Sequence, residues 1–233
     1  MAQPVPIVLV PGLTCSARLF TPQLPVLWPI GPVTIADHRR DDSMEAIAKR
    51  ILADAPPSFA LAGLSMGGYI AFAMMRLAPE RIVRLALLDT SARADTPEQV
   101  TIRKMQIAMA KEGRYAEISD LAMPRYIHAD RQDDEPLKAI VRQMAQETGA
   151  EAFVRQMTAI MTRPDSRPLL ASIKCPMLML VGDGDAATPP ELACEIVGGI
   201  TGAKLAVIAN CGHLSTLERP EPVNAVLAEW LAG

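Results

Sequence analysis

The chain has 233 residues, of which 50% are hydrophobic and 21% are charged, and its formal net charge is −3 at pH 7. A chain of this length and apolar content can bury a core as one large domain, and its charge supplies neither a basic surface for nucleic acid nor an acidic tail. The cysteines at positions 15, 175, 194 and 211 form no C-x-x-C pair, so neither a metal site nor a disulfide framework is predicted, and a reduced cytoplasmic setting fits best.

The N-terminal stretch does not have the pattern of a signal peptide. It carries no basic segment, and its apolar run at residues 5–10 is short and interrupted by proline. No stretch approaches the roughly 18 uninterrupted apolar residues of a membrane-spanning helix. We therefore expect a soluble protein with no membrane partner.

Short apolar runs recur along the chain and are interpreted as buried strands. They lie at residues 5–10, 32–37, 58–63, 84–89, 176–182 and 203–209. Their hydrophobicity is continuous rather than alternating, which is typical of parallel strands covered on both faces. Helical patterns separate them, beginning with residues 43–55, which open on a serine cap. This alternation predicts an α/β fold with a doubly wound sheet and right-handed crossovers.

Residues 91–168 interrupt that alternation. They contain no convincing strand and have the pattern of several amphipathic helices, rich in Arg, Met and Ala. Because the strands resume as if uninterrupted, an insertion over one end of the sheet is favoured over a separate helical domain. We therefore predict a core formed by residues 1–90 and 169–233 and a helical lid formed by residues 91–168.

The sequence GLSMG, residues 63–67, places Ser65 in a G-x-S-x-G pattern. An apolar strand precedes it and a helical pattern follows, so the serine is predicted to sit on a sharp strand-to-helix turn. Close approach of the backbone there tolerates only small residues two places before and after the serine. The pattern favours a nucleophile, and the alternative is a glycine-rich turn that includes a serine.

A serine nucleophile needs a base, and the chain offers only three histidines. His38, in ADHRRDD, is expected to be a solvated loop residue, and His128, within the predicted lid, is expected to lie on the surface. His213 follows the last predicted strand and therefore lies at the same sheet edge as Ser65. His213 is the predicted base.

A carboxylate should orient the histidine. The loop after the strand at 176–182 offers Asp183 and Asp185, both in the chain order Ser, Asp, His that this architecture requires. Spacing alone does not separate these two residues. Asp89, at the end of the strand after the serine, is a further candidate at a variant position.

With these motifs, the chain resembles α/β-hydrolases over nearly its whole length, in particular compact lidded esterases and lactonases such as 3-oxoadipate enol-lactone hydrolases. The resemblance is carried by VLVPGL, LAGLSMGGYIAF, RLALLDTSARADTPE, AIMTRPDSRPLL, CPMLMLVGDGDAATPP and CGHLSTLERPEPVN. It implies that Asp185, three residues after Gly182, is the acid. It also implies an oxyanion hole formed by the backbone amides of Leu13 and Met66.

The chain departs from these relatives at two points. Most relatives have His-Gly where this chain has Pro11 and Gly12, so the side chains that support that loop must differ. Many relatives also begin with two antiparallel strands before the strand that corresponds to residues 5–10. In this chain almost no sequence precedes that strand. We therefore expect a trimmed sheet of about six strands, all or nearly all parallel.

The predicted function is hydrolysis of carboxylic esters or lactones of small, partly apolar substrates through an acyl-enzyme on Ser65, with no metal or organic cofactor. Carbon–carbon bond hydrolysis, perhydrolysis or a lyase reaction with the same residues is an alternative, and a non-catalytic ligand sensor is another. Arg103, Arg125 and Arg155 are candidates to bind a substrate carboxylate, although each also fits a solvated helix face. The oligomeric state is not readable from the sequence.

Overall fold

The computed structural model describes residues 4–232 and contains one six-stranded sheet in the order β2-β1-β3-β4-β5-β6. The strands are β1 (Ile7–Val10), β2 (Val33–Ile35), β3 (Phe59–Leu64), β4 (Ile82–Leu88), β5 (Met177–Gly182) and β6 (Lys204–Ile208). Every neighbouring pair is parallel. The prediction of an α/β fold with about six parallel strands is confirmed.

Helices connect successive strands, as parallel pairing requires, and two further helices follow β6. They are α1 (Leu24–Leu27), α2 (Met44–Asp54), α3 (Met66–Leu77), α4 (Pro97–Lys111), α5 (Tyr115–Tyr126), α6 (Glu135–Thr148), α7 (Ala150–Met161), α8 (Pro190–Gly198), α9 (Ser215–Glu218) and α10 (Pro220–Ala232). The side chain of Ser43 caps α2, as its sequence indicates. Between residues 4 and 232, none of the helices is long and apolar enough to cross a membrane.

The inner strands β1, β3, β4 and β5 are largely buried, and their residues alternate between two apolar cores, whereas the edge strands β2 and β6 are partly exposed. Val8 and Val10 of β1 lie in the core that includes α2, α3 and α8. Ile7 and Leu9 of the same strand lie in the core that includes α1 and α10. This two-sided burial explains why the strands read as continuous apolar runs in the sequence.

Four helices, α4 to α7, lie between β4 and β5, where the sequence predicts the lid. The two ends of this segment meet, since the Ser166 amide donates to the Ala92 carbonyl at 2.7 Å. Helices α4, α6 and α7 follow the predicted amphipathic patterns. Helix α5 was not predicted, because Pro124 lies inside it and its apolar residues are weakly periodic.

The start of α3 packs directly on β1, and Gly67 makes this approach possible. A Cβ atom at Gly67 would lie only 2.0 Å from the carbonyl oxygen of Val10. Both elements belong to the buried centre of the molecule, so neither backbone can move aside without disturbing the sheet.

We predict that Gly67→Ala destabilises the protein by roughly 3 kcal/mol or more, because the added methyl group meets backbone rather than a flexible side chain. Gly198→Ala is the matched control, since a Cβ atom there would meet nothing within 4 Å. Thermal unfolding measures both. A Gly67→Ala variant that unfolds at the wild-type temperature would contradict the predicted close contact.

Candidate active site

Ser65 lies on a strained turn between β3 and α3. Its backbone has φ 56° and ψ −113°, in a region that non-glycine residues rarely adopt. The turn is held by the Ser65 amide, which donates to Leu88 of β4 at 2.9 Å. Gly63 is required as well, because a Cβ atom there would lie 2.3 Å from the carbonyl oxygen of Gly67. The turn therefore fixes the Ser65 hydroxyl at the carboxyl edge of the sheet.

His213 reaches Ser65 from the loop that follows β6. Its Nε2 atom lies 2.8 Å from Ser65 Oγ, and the residue is only 3% exposed. The Tyr126 ring stacks on the imidazole with centroids 5.5 Å apart, and the Tyr126 carbonyl accepts a hydrogen bond from the His213 amide at 3.0 Å. The end of α5 thus fixes both the backbone and the ring of His213.

Asp185, rather than Asp183, contacts the histidine. Its Oδ2 atom lies 2.8 Å from His213 Nδ1 and accepts from the Thr188 hydroxyl, while Oδ1 accepts from the Ala187 and Thr188 amides. Asp183 instead accepts hydrogen bonds from two amides of the loop at 210 and 211. The structure therefore shows which of the two carboxylates contacts His213, which their spacing in the sequence does not decide.

The electrostatics of the buried pair favour an ionised Asp185 and a basic His213. Burial acts to raise the pKa of Asp185, but the charge and hydrogen bond of His213, with the donors of Thr188, leave it below its usual range. Burial acts to lower the pKa of His213, but the facing carboxylate of Asp185 raises it above the ordinary value. An Nδ1–H directed at Asp185 leaves the Nε2 lone pair to accept the Ser65 hydroxyl proton.

Asp89 lies beside this pair but does not replace Asp185. It is fully buried at the end of β4, accepts from the Gly182 amide at 3.0 Å and pairs with the Ser215 hydroxyl. Burial first, and then the charge of Asp185, raise the pKa of Asp89 well above its usual value. Asp89 is thus a structural acid that joins β4 to β5 and to the start of α9.

The loop at residues 11–14 packs against Ser65. A Cβ atom at Gly12 would lie 3.4 Å from the Cβ atom of Ser65. Between residues 4 and 232, the amides of Leu13 and Met66 donate to no backbone or side-chain acceptor. Met66 opens α3, where the helix dipole favours negative charge. Two amides with no internal acceptor therefore flank Ser65.

The expectations for the other two histidines are wrong. His38 is 2% exposed rather than solvated, and its Nε2 atom lies 2.8 Å from the carbonyl oxygen of Gly12. Burial lowers the pKa of His38 to about 4. His128 has a side chain that is only 14% exposed, and its ring packs so closely on Gly184 that a Cβ atom there would lie 2.3 Å from it. Tertiary packing, not local sequence polarity, decides both positions.

A pocket beside Ser65 is lined mainly by apolar groups. Its side chains include Leu13, Leu64, Tyr126, Val141, Met144 and Leu214. Tyr126 belongs to α5, and Val141 and Met144 belong to α6, so the segment at 91–168 forms one wall. None of the three candidate arginines lines it. Arg103 pairs with Asp95 at 2.6 Å, Arg155 donates to the Arg39 carbonyl, and Arg125 is exposed.

Sequence reasoning did not single out Thr188, Tyr126 or Glu218. Thr188 supports the Asp185 carboxylate, and Tyr126 packs on the His213 ring. Glu218 bridges the amides of Gly212 and His128 at 3.0 and 2.9 Å and so joins the His213 loop to the helical segment. Of these three residues, only Thr188 could be suspected from the sequence, because it lies three residues after Asp185. Residues 4–232 contain no cluster of His, Cys, Asp and Glu that could hold a metal ion.

Comparison with known proteins gives the same picture of the fold. The model of the family described as "Alpha/beta hydrolase family" matches residues 7–226. A thermophilic esterase from Thermogutta terrifontis, solved with malate bound, is 29% identical, with a TM-score of 0.89 over 98% of this chain and 89% of that one. The enol-lactonase from Burkholderia xenovorans LB400 is 26% identical, with a TM-score of 0.90 over 100% and 93%.

A curated relative also aligns over almost the full length. The pimeloyl-[acyl-carrier protein] methyl ester esterase of Neisseria meningitidis serogroup C is 24% identical, and the alignment covers 97% of this chain and 93% of that protein. The match therefore extends across both the sheet and the helical segment at 91–168.

We predict that Asp89→Asn is more stable than the wild type at pH 8 and that this difference shrinks towards pH 4. In the wild type, native Asp89 retains a proton that the unfolded chain releases above its ordinary pKa of about 4. Wild-type stability is therefore lost as the pH rises from the unfolded-state pKa to the raised native pKa of Asp89. Between these two values the free energy of unfolding falls by about 1.4 kcal/mol per pH unit.

Asparagine keeps the acceptor for the Gly182 amide and does not titrate, and its Nδ2–H group faces the Ser215 hydroxyl in place of the Oδ2 atom that accepts from it. Urea unfolding of both proteins between pH 4 and 8 measures the difference. Asparagine also tolerates the positive φ of 45° at this position, so the substitution adds no backbone strain. A difference that does not vary with pH would contradict the raised pKa.

Proposed function

The chain belongs to the alpha/beta hydrolase family, and we propose that it is a serine hydrolase that cleaves carboxylic esters or lactones through an acyl-enzyme on Ser65. The observation that carries this proposal is the 2.8 Å distance between Ser65 Oγ and His213 Nε2. Such a contact, with Asp185 on the opposite ring nitrogen, is the arrangement that activates a serine hydroxyl.

In the first half of the proposed reaction, His213 Nε2 takes the Ser65 proton while Ser65 Oγ bonds to the substrate carbonyl carbon. The imidazolium formed is stabilised by Asp185, which stays ionised because Thr188 and Ala187 supply three of its hydrogen bonds. His213 then protonates the leaving alkoxide as its bond to the carbonyl carbon breaks.

In the second half, His213 takes a proton from water, whose oxygen attacks the acyl carbon. Collapse of the intermediate returns the proton to Ser65 and releases the acid. In both halves the carbonyl oxygen becomes an anion, and the amides of Leu13 and Met66 are proposed to receive it. Removal of one such donor typically costs roughly 10²- to 10³-fold in rate.

The proposed substrate is a small molecule with an apolar acyl or alcohol group. The pocket beside Ser65 is lined mainly by Leu, Val and Met side chains, which favour such groups. The resemblance to a solved esterase and a solved enol-lactonase supports both esters and lactones as substrate classes. We also propose that residues 91–168 act as a lid, because α5 and α6 supply a wall of this pocket.

We predict that Ser65→Ala lowers kcat/KM for a short-chain nitrophenyl ester by at least about 10⁴-fold, since the nucleophile itself is lost. Ser172→Ala, which removes an exposed hydroxyl elsewhere, is the matched control and should retain wild-type turnover. Equal turnover by wild type and Ser65→Ala would reject the proposal. A vinylogous diketone assayed in parallel tests carbon–carbon bond hydrolysis, and turnover of the diketone without turnover of the ester would favour that alternative.

We predict that kcat/KM falls as the pH drops through the raised pKa of His213, because only the neutral imidazole acts as a base. Asp185→Asn should lower kcat and move the midpoint of this acid limb to lower pH, since the carboxylate that raises the pKa is removed. Asp183→Asn is the matched control, because Asp183 contacts loop amides and not the imidazole.

The midpoint for Asp183→Asn should stay at the wild-type pH. Initial rates between pH 5 and 9 for the three proteins give the comparison. A shift in Asp183→Asn but not in Asp185→Asn would reverse the assignment of the acid.

A further inference from the structure

Two side chains from outside the loop at residues 11–14 hold that loop in place beside Ser65. His38, which follows β2, contacts the carbonyl oxygen of Gly12 through Nε2 at 2.8 Å. Gln156, on α7, accepts a hydrogen bond from the Thr14 amide through Oε1 at 3.1 Å. His38 and Gln156 are 2% and 0% exposed, so the His38 contact is buried and the Gln156 contact is partly buried.

The His38 contact, together with the Cys15 amide that donates to the same Gly12 oxygen at 3.1 Å, sets the direction of the Leu13 amide. The carbonyl of Gly12 and the N–H of Leu13 belong to one peptide unit, which is planar and trans, so they point in opposite directions. A hydrogen bond that fixes the Gly12 oxygen therefore also fixes where the Leu13 N–H points. It also polarises the peptide unit and makes that N–H a stronger donor.

The Gln156 contact secures the next peptide unit, which joins the Leu13 carbonyl to the Thr14 amide. Thr14 has φ 58°, a conformation that is a genuine outlier for a β-branched residue. Such strain persists only where the surroundings impose it. The Thr14 hydroxyl donates to the Leu13 carbonyl at 2.6 Å and the Thr14 amide donates to Gln156, so the strained residue is tied to α7.

Both buried side chains direct a polar atom at this loop. The Nε2 atom of Gln156 has no hydrogen-bond partner between residues 4 and 232, so the contact that this buried amide makes through Oε1 is with the Thr14 amide. His38 is buried and neutral near pH 7, and it faces a carbonyl oxygen, so its single proton lies on Nε2.

We propose that His38 and Gln156 are positioning residues that clamp the 11–14 loop from two sides and aim the Leu13 amide at the carbonyl oxygen of the substrate. The inference rests on the proposed function, because it assigns these residues to the same reaction at Ser65. His38 would take over the support of this loop, which in many relatives begins with His-Gly and here begins with Pro11 and Gly12. Because Gln156 lies on α7, the direction of the Leu13 amide would also depend on how α7 packs against this loop.

The test compares His38→Leu, which removes the donor, with His38→Gln, which places an amide N–H near the position of Nε2. In His38→Leu, kcat for a nitrophenyl ester should fall by about 10- to 100-fold while KM changes by less than about 3-fold, because the contact acts on transition-state charge. His38→Gln should recover most of the lost rate. Thermal unfolding shows whether each variant is folded.

An alkylboronic acid provides a readout that loss of stability alone would not move. Its tetrahedral adduct on Ser65 places an oxygen where the substrate oxyanion forms, so its inhibition constant should rise by about the factor by which kcat falls. Gln156→Met, whose side chain removes the acceptor of the Thr14 amide, should show the same parallel change in kcat and boronate affinity, and thermal unfolding shows whether it is folded.

The double variant His38→Leu, Gln156→Met should lose less than the product of the two single losses, because the two contacts hold the peptide units on either side of Leu13 and both set the direction of one amide. A folded His38→Leu or Gln156→Met with wild-type kcat and boronate affinity would overturn the inference. Failure of His38→Gln to recover rate beyond His38→Leu would overturn the role of the Nε2 donor. Absence of Ser65-dependent turnover in the wild type would instead reject the proposed function, and this inference with it.

Discussion

The turn at Ser65 is the constraint on which the site depends. A serine in a positive-φ conformation, between a buried strand and a buried helix, is stable only where the surrounding backbone leaves no alternative. Gly63 and Gly67 permit that arrangement, because a Cβ atom at either position would collide with backbone. The Ser65 hydroxyl is therefore fixed before any substrate binds, and the other side chains and amides of the site are arranged around it.

The parallel sheet brings those groups together. The loop at 11–14 follows β1, Ser65 follows β3, Asp89 follows β4, and Asp185 and His213 follow β5 and β6. The carboxyl ends of parallel strands share one edge, so residues separated by up to about 200 positions meet there. The helical segment at 91–168 then contacts this edge through Tyr126, which packs on the His213 loop, and Gln156, which binds the 11–14 loop.

The sequence predicts the sheet well because burial on both faces leaves continuous apolar runs. Ser65 is predictable because its turn demands glycines at fixed offsets, and His213 because few histidines compete with it. Asp183 and Asp185 are not separable from spacing, since the difference between them is set by which way the loop turns. His38 is mispredicted because its neighbours in the sequence are charged, whereas its burial results from contact with a loop 26 residues away. Gln156 lies in an ordinary amphipathic helix, and nothing local marks its contact with Thr14.

The central claim is that Asp185, against the opposing effect of burial, makes His213 a base for the Ser65 hydroxyl. Intact-mass and peptide mass spectrometry after reaction with a fluorophosphonate probe tests it most directly, because only an activated serine reacts readily. A single adduct, located on Ser65 and formed faster as the pH rises through the pKa of His213, is the predicted result. A folded protein that remains unmodified, or that carries the adduct on another residue, would contradict the claim.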